Sequence, residues 1–433
     1  MSHQITRVFD RPFTSRSISR FVLVLGILAG MVSIATAPLL NPDQISLASD
    51  VYVYAARSML DGESIYGVHP PDRPGYFFLY PPVVVYLFVP HALLGSDRAA
   101  FLLQTGLNVL AAGGTAWIVY RALRRRGMNP TTRDLAILFG FVLVSPYGAI
   151  HLVNGQVTLW LGLLLALGLF SLEAGRQRVA GVAFAVAAIF KVFPAVVGLW
   201  LLRRRAYRAV LVALATGIGA IAIGWMLLGT DTTSTYFSDV LLGRYGGYTF
   251  EGTPDPGRST GGIRRQIAAV FGVGPPISTA IALGVLVPVL GYLYRTVDTD
   301  RQRQAAVLGT VVCTLLFLPL QPLYFPLLVY PLLVLLYALP PGRPRSVVLV
   351  GTLVSFIQVG YQEALTMVSV VVSNPPLLSV IETVLGSAFT FILPPTAGLW
   401  LLLLGCILVV REANHSTGDE SPVGYRETTH NTR

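Results

Sequence analysis

Two charged side chains, Asp50 and Lys191, stand out by their positions in the chain. Asp50 lies in SDVYVYAARSMLDGESIYG, residues 49–67, which follows the first long apolar stretch. A carboxylate at a membrane surface stays ionised and accepts a proton from a hydroxyl group, which is the role of a general base. The alternative is structural: Ser49 is a suitable N-cap, and Asp50 would open the next helix, where the helix dipole favours a negative charge.

Lys191 is the only lysine of the chain and lies in the otherwise apolar segment AVAAIFKVFP. A cation inside an apolar segment is costly, so it indicates function, usually with an anionic partner. A phosphate group suits the compact charge of an ammonium group. The alternative is a lysine at a helix end whose ammonium group reaches the membrane surface.

Two amides and a group of arginines are further candidates for substrate contacts. Asn154 and Gln156 stand on either side of a glycine at the end of an apolar stretch. Amides bind sugar hydroxyls, although Asn-Gly is also a common turn. Arg258 and Arg264, together with Arg265, flank the segment STGG. Arginines around a glycine-containing turn suit a phosphate, and solvated loop charges are the alternative.

Tyr54, Tyr80 and Gln321 complete the set of candidate binding residues. Tyr54 shares the apolar face of its predicted helix with Val51. Tyr80, in GYFFLYPP, is expected to pack over Asp50 or a lipid head group, and interfacial tyrosines are also ordinary anchors. Gln321, in the segment QPLY at a later outer turn, would add a sugar contact. The sequence contains no nucleotide-binding glycine motif and no His/Cys cluster, so neither a metal nor a cofactor is predicted.

The elements that must position these residues are membrane helices. Hydrophobic residues make up 54% of the 433 residues, charged residues only 12%, and the mean hydropathy is +0.65. Soluble domains carry about 25% charged residues. We predict one all-α polytopic membrane domain, residues 1–410, with about 10–12 transmembrane helices. The net charge of +10 comes from arginines in short loops, which indicates membrane topology and not nucleic-acid binding.

The arginines predict the orientation of the first helices. Four arginines before residue 21 place the N-terminus in the cytoplasm, and Pro38 disfavours cleavage of residues 21–37 as a signal peptide. The basic loop 121–133 must also be cytoplasmic, so only one span fits between it and the first. Residues 41–97 are therefore predicted to form an outer loop. Two segments of this loop are too short to cross and are predicted as juxtamembrane helices: residues 50–60 and 81–94.

The rest of the chain continues this alternation, with one ambiguity. Residues 179–202 have basic residues at both ends and fit either one span or two half-helices that meet near Lys191. Residues 229–272 are predicted as a second outer loop, and residues 411–433 as a disordered cytoplasmic tail. Further spans are predicted at 276–294, 304–320, 325–339, 346–372 and 393–410.

Taken in order, four motifs resemble glycosyltransferase family 87, the polyprenol-phosphate-mannose-dependent transferases of the GT-C superfamily. They are D-x-x-x-Y-A-A-x-x-x-L-x-G-x-x-x-Y from Asp50 to Tyr66, Y-P-P at 80–82, G-Q at 155–156 and K-x-x-P at 191–194. The resemblance spans roughly residues 20–330 and implies a GT-C-like helix bundle. It also implies a polyprenyl- or dolichyl-phosphate hexose donor, mannose above all, and transfer with inversion to an extracytoplasmic lipid or glycan.

The same resemblance implies roles for the two charged residues. Asp50 would be the base, and Lys191 would stabilise the departing lipid phosphate. The later outer turn has QPLY where the family often has an aromatic-His-Tyr element, so the acceptor stays open. The rival function is a transporter or flippase of lipid-linked glycans, for which polar residues should line a path through both leaflets. Here the polar clusters gather on the outer side, which favours a cell-membrane enzyme over a transporter. Lys191 within an apolar segment argues against an inactive scaffold.

Overall fold

The computed structural model describes residues 15–243, 253–319 and 322–418, which are mostly helical and contain no β-strand. The helices of the first half are α1 (Ser15–Leu40), α2 (Leu47–Leu60), α3 (Val89–Ala92), α4 (Asp97–Arg125), α5 (Thr132–Val144), α6 (Ala149–Asn154), α7 (Thr158–Glu173), α8 (Gln177–Phe190) and α9 (Val197–Arg203). Those of the second half are α10 (Tyr207–Thr235), α11 (Ile263–Phe271), α12 (Pro275–Arg295), α13 (Asp300–Phe317), α14 (Val329–Ala338), α15 (Arg343–Ser355), α16 (Tyr361–Val371), α17 (Pro375–Phe391) and α18 (Pro394–Gly418). Short 3₁₀ segments lie at Pro42–Gln44, Pro82–Phe88, Phe193–Val196 and Pro322–Leu328.

Five helices in the described part of the chain are long and apolar enough to cross a membrane, which confirms the polytopic all-α class. They are Ser17–Leu40, Asp97–Arg125, Tyr207–Leu242, Pro275–Arg295 and Pro394–Asn414. Other predicted spans are shorter helices interrupted by turns, such as α5 with α6 and the 3₁₀ segment before α14. Within Tyr207–Leu242 the backbone breaks at Gly229, where φ is 80° and ψ is 175°, so the regular span ends before that residue.

Contacts between the arginine-rich loops bring them to one end of the helix bundle, called here the basic end. Arg20 Nε and Nη2 each lie 2.7 Å from a carboxylate oxygen of Asp134, which is fully buried. Arg126 pairs with Asp300 at 2.7 Å and with Glu173 at 2.9 Å. Two further contacts at this end join Arg345 to Ser19 and Arg203 to the Tyr294 carbonyl. The loops that the arginine pattern assigns to one side therefore do lie together.

The segment between α7 and α10 is a pair of half-helices and not a single span. Glu173 precedes α8 and Arg204 follows α9, and the two residues are close enough to interact electrostatically at the basic end. Both ends of the segment therefore lie on the same side of the bundle. The apex is the break after Phe190, where Lys191 has an extended backbone and Pro194 begins the return. Of the two alternatives predicted for residues 179–202, the structure shows the two half-helices, because Pro194 cannot continue α8.

The first outer loop differs from the prediction at the start of its first helix. α2 begins at Leu47 with Ser46 as its N-cap, so Ser49 is a buried residue inside the helix and not the cap. Asp50 remains in the first turn, yet it does not open the helix. The single apolar face expected for α2 is also wrong, because most of the helix is buried between Pro82–Phe88, α3 and α4.

The predicted span 346–372 is wrong as one helix, because α15 ends at Ser355 and α16 begins at Tyr361. α15 and α18 pack closely: a Cβ on Gly398 would lie 2.6 Å from the Ser355 amide nitrogen. This close approach aligns the end of α15 with the start of α18 at the end opposite the basic end. The residues between them form an α16–α17 hairpin. α18 runs to Gly418, so the first residues of the predicted tail are helical, and residues 419–433 lie outside the described residues.

Candidate functional site

Lys191 lies between two aromatic rings at the apex of the half-helices. Its Nζ is 5.1 Å from the centre of the Tyr80 ring and 5.5 Å from the centre of the Tyr324 ring. Each ring face attracts the ammonium group. Lys191 also caps the C-terminus of α8, where the helix dipole favours a positive charge. The α8 helix, the Pro82–Phe88 region and the 3₁₀ turn at Tyr324 therefore hold the cation together.

Tyr80 is fixed from two sides. The Tyr66 hydroxyl donates to the Tyr80 carbonyl at 2.7 Å, and the hydroxyls of Tyr52 and Tyr80 lie 2.8 Å apart. The Tyr52 hydroxyl donates in turn to Gln156 Oε1 at 2.8 Å. Burial raises the pKa of Tyr52, so its hydroxyl stays a neutral hydrogen-bond donor. These bonds form a continuous path from Gln156 through Tyr52 and Tyr80 to the Lys191 ammonium group.

Tyr52 was missed by the sequence interpretation, which selected Tyr54 on the same helix. The sequence did contain a signal for Tyr52: it stands two residues after Asp50, between the apolar residues Val51 and Val53. Both valines are buried in the structure. Tyr54 is half-buried one turn after Asp50. Because consecutive helical residues are about 100° apart, Asp50 and Tyr54 project to one side of α2, and Tyr52 projects to nearly the opposite side.

The turn Asn154–Gly155–Gln156 aims the Gln156 side chain. Asn154 Oδ1 accepts a hydrogen bond from the Gln156 amide at 3.2 Å, so Asn154 shapes the turn. Gly155 has φ of 72°, and a Cβ there would lie 2.8 Å from Cβ of Ser49. Asn108 Nδ2 donates to the Gln156 carbonyl at 3.1 Å. Only glycine fits this turn against α2, which explains the G-Q pair physically.

Asp50 is held in a separate cluster. The Ser46 hydroxyl donates to Asp50 Oδ2 at 2.8 Å, and Arg73 Nε lies 3.4 Å from the same oxygen. Arg73 is itself anchored to the carbonyls of Asp43 and Ile45. Burial raises the pKa of Asp50, while the Ser46 hydrogen bond and the Arg73 charge act in the opposite direction. The Tyr80 ring packs with the rings of Tyr52, Phe78 and Phe190.

Arg265 is a structural residue, contrary to the interpretation that it could bind phosphate with its neighbours. Its side chain is fully buried, and its guanidinium group donates only to backbone carbonyls among the described residues. The acceptors are the carbonyls of Asp255, Arg258, Thr260, Phe389 and Thr390. A guanidinium group with its donors occupied in this way fastens the second outer loop to the end of α17.

The two other arginines of this loop remain candidates for anion binding. Arg258 is exposed. Arg264 is half-buried, its guanidinium carbon is 5.1 Å from the centre of the Phe317 ring, and burial lowers its pKa. The Gly261 amide donates to the Pro319 carbonyl at 2.7 Å, which joins this loop to the turn that leads to Tyr324. Gln321, in that turn, lies outside the described residues.

His151 is a further buried group that the sequence interpretation missed. It lies on α6, is fully buried, and is close enough to Lys191 for an electrostatic interaction. Neither ring nitrogen has a hydrogen-bond partner among the described residues. Within the same part of the chain, no group of three His, Cys, Asp or Glu residues could hold a metal ion.

Comparisons with known proteins cover three of the four motifs, Y-P-P, G-Q and K-x-x-P, whereas the Asp50–Tyr66 motif precedes the residues that the family profile matches. The sequence profile of glycosyltransferase family 87 matches residues 78–322. A polyprenol-phosphate-mannose-dependent alpha-(1-2)-phosphatidylinositol pentamannoside mannosyltransferase of Mycolicibacterium smegmatis is 27% identical over 288 residues, which are 63% of this chain and 65% of the relative. A polyprenol-phosphate-mannose-dependent alpha-(1-2)-phosphatidylinositol mannoside mannosyltransferase of Mycobacterium tuberculosis is 30% identical over 196 residues, 42% of this chain and 45% of the relative. The chain thus spans less than two thirds of the length of these curated relatives.

Proposed function

This chain belongs to glycosyltransferase family 87, and we propose that it transfers a hexose from a polyprenyl-phosphate sugar to an extracytoplasmic glycolipid or glycan. Mannose is the proposed hexose, because both curated relatives are named as polyprenol-phosphate-mannose-dependent mannosyltransferases. Transfer occurs with inversion at the anomeric carbon. The protein works as a multi-pass cell-membrane enzyme whose N-terminus and basic end face the cytoplasm, because arginine-rich loops are retained there.

The observation that carries this proposal is the position of Lys191. The half-helices place the single lysine of the chain at the end of the bundle opposite the basic end, between Tyr80 and Tyr324. A compact cation there matches the phosphate of a lipid donor. As the glycosidic bond breaks, negative charge grows on the phosphate oxygen, and the ammonium group stabilises that charge more in the transition state than in the bound donor.

The segment that follows Lys191 packs on apolar side chains. Its contacts with α7 and α13 leave a crevice of only about 10 Å³, whose lining includes Phe193, Pro194, Val197, Leu315 and Leu327. A prenyl chain needs apolar walls from the bilayer to its phosphate, because each buried CH₂ group contributes about 0.8 kcal/mol. This crevice is too small to hold such a chain, so it supplies apolar surroundings near the phosphate end of the donor and not the path of its chain.

Asp50 is proposed as the general base. It would take the proton of the acceptor hydroxyl while that oxygen attacks the anomeric carbon, and the lipid phosphate would leave with the bonding electrons. The raised pKa brings Asp50 nearer to the working pH, where a base is most effective. α2 carries both Asp50 and Tyr52. One rigid helix therefore links the base to the group formed by Lys191, Tyr80 and Tyr324, called here the Lys191 cluster.

The other candidate residues have subsidiary roles in this proposal. Gln156 and Tyr80 would contact the donor sugar, with Asn154 holding the turn that aims Gln156. Tyr54 would contact the acceptor beside Asp50. Arg258 and Arg264 would contact an acidic group on the lipid donor or acceptor, and Gln321 would add a sugar contact.

The test is sugar transfer by the purified protein in lipid vesicles. Polyprenyl-phosphate [³H]mannose is the donor, and a phosphatidylinositol mannoside is the first acceptor to try. Label should move to the acceptor, and the anomer formed should be opposite to that of the donor. If label crosses the bilayer on the unchanged donor and never reaches an acceptor, the protein is a flippase and the proposal fails.

A further inference from the structure

An open cavity of about 650 Å³ lies between α11, α16 and α17, and most of its lining residues follow the last residue that the family profile matches. The Tyr147 hydroxyl, 2.6 Å from the Ser355 hydroxyl, ties the base of the α16–α17 hairpin to the turn before α6. The cavity is therefore at the same end of the bundle as the Lys191 cluster. Its polar lining residues are Thr253, Tyr361, Glu382, Thr383, Ser387 and Thr390.

The lining combines two aromatic rings, those of Tyr361 and Phe391, with hydrogen-bond acceptors. The Tyr361 ring is fixed edge-on against Phe389, with the ring centres 6.0 Å apart. The hydroxyls of Thr383 and Ser387 donate to backbone carbonyls within α17, so their oxygens remain free to accept. Glu382 adds a carboxylate, and none of the described lining residues is basic. Such a surface suits a neutral polyol, which offers C–H groups to a ring and hydroxyl donors to acceptors, and it disfavours a phosphate.

Arg265 connects this cavity to the transfer site. It donates to the carbonyls of Phe389 and Thr390 in the cavity wall, and to those of Thr260 and Asp255 in the second outer loop. Gly261 of that loop bonds to Pro319, in the turn that leads to Tyr324 beside Lys191. The hydrogen bonds of Arg265 and Gly261 thus link the wall of the cavity to the turn that carries Tyr324 of the Lys191 cluster.

We propose that the cavity between α11, α16 and α17 binds the carbohydrate part of the acceptor. The assignment rests on the proposed transferase function. Glu382 accepts hydrogen bonds from sugar hydroxyls, and the ring of Tyr361 packs against a sugar face. The cavity holds the non-reacting sugars of the acceptor while its reacting hydroxyl extends towards Asp50.

Steady-state kinetics on the full chain in vesicles test the assignment. Glu382→Gln removes the charged acceptor, and Gly386→Phe fills the cavity without removing a polar group. Glu382→Gln should raise the acceptor KM roughly tenfold, since the loss of a charged hydrogen bond typically has this effect. Gly386→Phe should raise the acceptor KM by a similar factor, because its ring fills the space of the sugar. Both variants should leave the donor KM unchanged. The matched controls are Glu363→Gln, on the same hairpin outside the lining, and Gly386→Ala. Unchanged acceptor KM in both test variants, with transfer intact, overturns the assignment.

A binding measurement separates this assignment from the transferase proposal. Mannobiose is titrated into the purified chain without donor and followed by saturation-transfer NMR. Wild type and Glu363→Gln should bind it, and Glu382→Gln and Gly386→Phe should lose most of the signal. If mannobiose binds in this pattern and no transfer is ever observed, the cavity is a carbohydrate-binding site, and the transferase proposal fails together with the cavity's role as the acceptor site. If transfer proceeds and mannobiose binds all four proteins equally, the cavity assignment fails alone.

Discussion

The hydroxyl of Tyr52 lies 2.8 Å from the hydroxyl of Tyr80, and this contact joins α2 to the ring that faces Lys191. Tyr52 also donates to Gln156, so one hydroxyl connects the first outer loop, the G-Q turn and the half-helices. The position of the Tyr80 ring, and with it the environment of the Lys191 ammonium group, therefore depends on Tyr52.

Tyr52→Phe should lower kcat/KM roughly three- to tenfold, because it removes two hydrogen bonds whose net value is modest. The ring would keep its stacking on Phe88, 4.4 Å between centres, so the thermal unfolding temperature should change little. Tyr76→Phe, at an exposed tyrosine of the same outer loop, is the matched control. Equal kinetics for Tyr52→Phe and wild type would show that the Tyr52 hydroxyl does not order the site.

Lys191→Ala should lower kcat/KM for the lipid donor roughly 100-fold, as loss of a group that stabilises developing charge typically does. Lys191→Arg should recover only part of the activity, because the planar guanidinium group differs in shape from the ammonium group. The measurement is transfer at varied donor concentration. Donor kinetics unaffected by Lys191→Ala would make Lys191 structural.

Asp50→Asn should reduce transfer by about 10²–10⁴-fold, the usual contribution of a general base. The amide keeps the size of the side chain but takes up no proton, so membrane insertion and donor binding should be retained. Asp61→Asn, at the exposed end of α2, is the control and should remain active. An active Asp50→Asn protein would move the base to another acid of the loop.

The acid limb of the pH profile should report Asp50. A base works when deprotonated, so activity should fall as pH falls through the pKa of Asp50, which burial raises above its usual value. Arg73 lowers this pKa by its charge and hydrogen bond. Arg73→Gln should therefore move the acid limb to higher pH, and Arg73→Lys should move it less. Thermal unfolding must be measured alongside, since Arg73 also holds the Asp43 and Ile45 carbonyls. An unmoved acid limb in a folded Arg73→Gln protein would separate Asp50 from the rate.

Single cysteines test the membrane orientation. An impermeant thiol reagent applied to intact cells should label a cysteine at position 98 and should reach position 124 only after permeabilisation. The native Cys313 and Cys406 are buried, so background labelling should be low. Labelling of position 98 only from the cytoplasm would mean that residues 81–94 cross the bilayer.

The sequence by itself determined the class, the arrangement of the basic loops and the motifs. Composition identifies a membrane protein because apolar helices must satisfy their own backbone hydrogen bonds in lipid. Arginine clusters predict which loops meet, and the contacts of Arg20 with Asp134 and of Arg126 with Glu173 agree with them. The sequence left residues 179–202 open between one span and two half-helices. Basic loops flank this apolar stretch on both sides, and it is too short for two full spans.

The tertiary structure decided the contacts of the site. It placed Tyr52 against Tyr80, because the side of α2 that faces Tyr80 depends on packing partners that are distant in sequence. In the structure Arg265 is fully buried and donates to backbone carbonyls, whereas Arg264 is half-buried, although the two residues are adjacent and of the same type. It also divided the apolar run 346–372 into α15 and α16, and the end of α15 packs closely on α18 at Gly398. Local sequence sets helix formation and hydrophobicity, whereas the partner of each polar group is set by elements far along the chain.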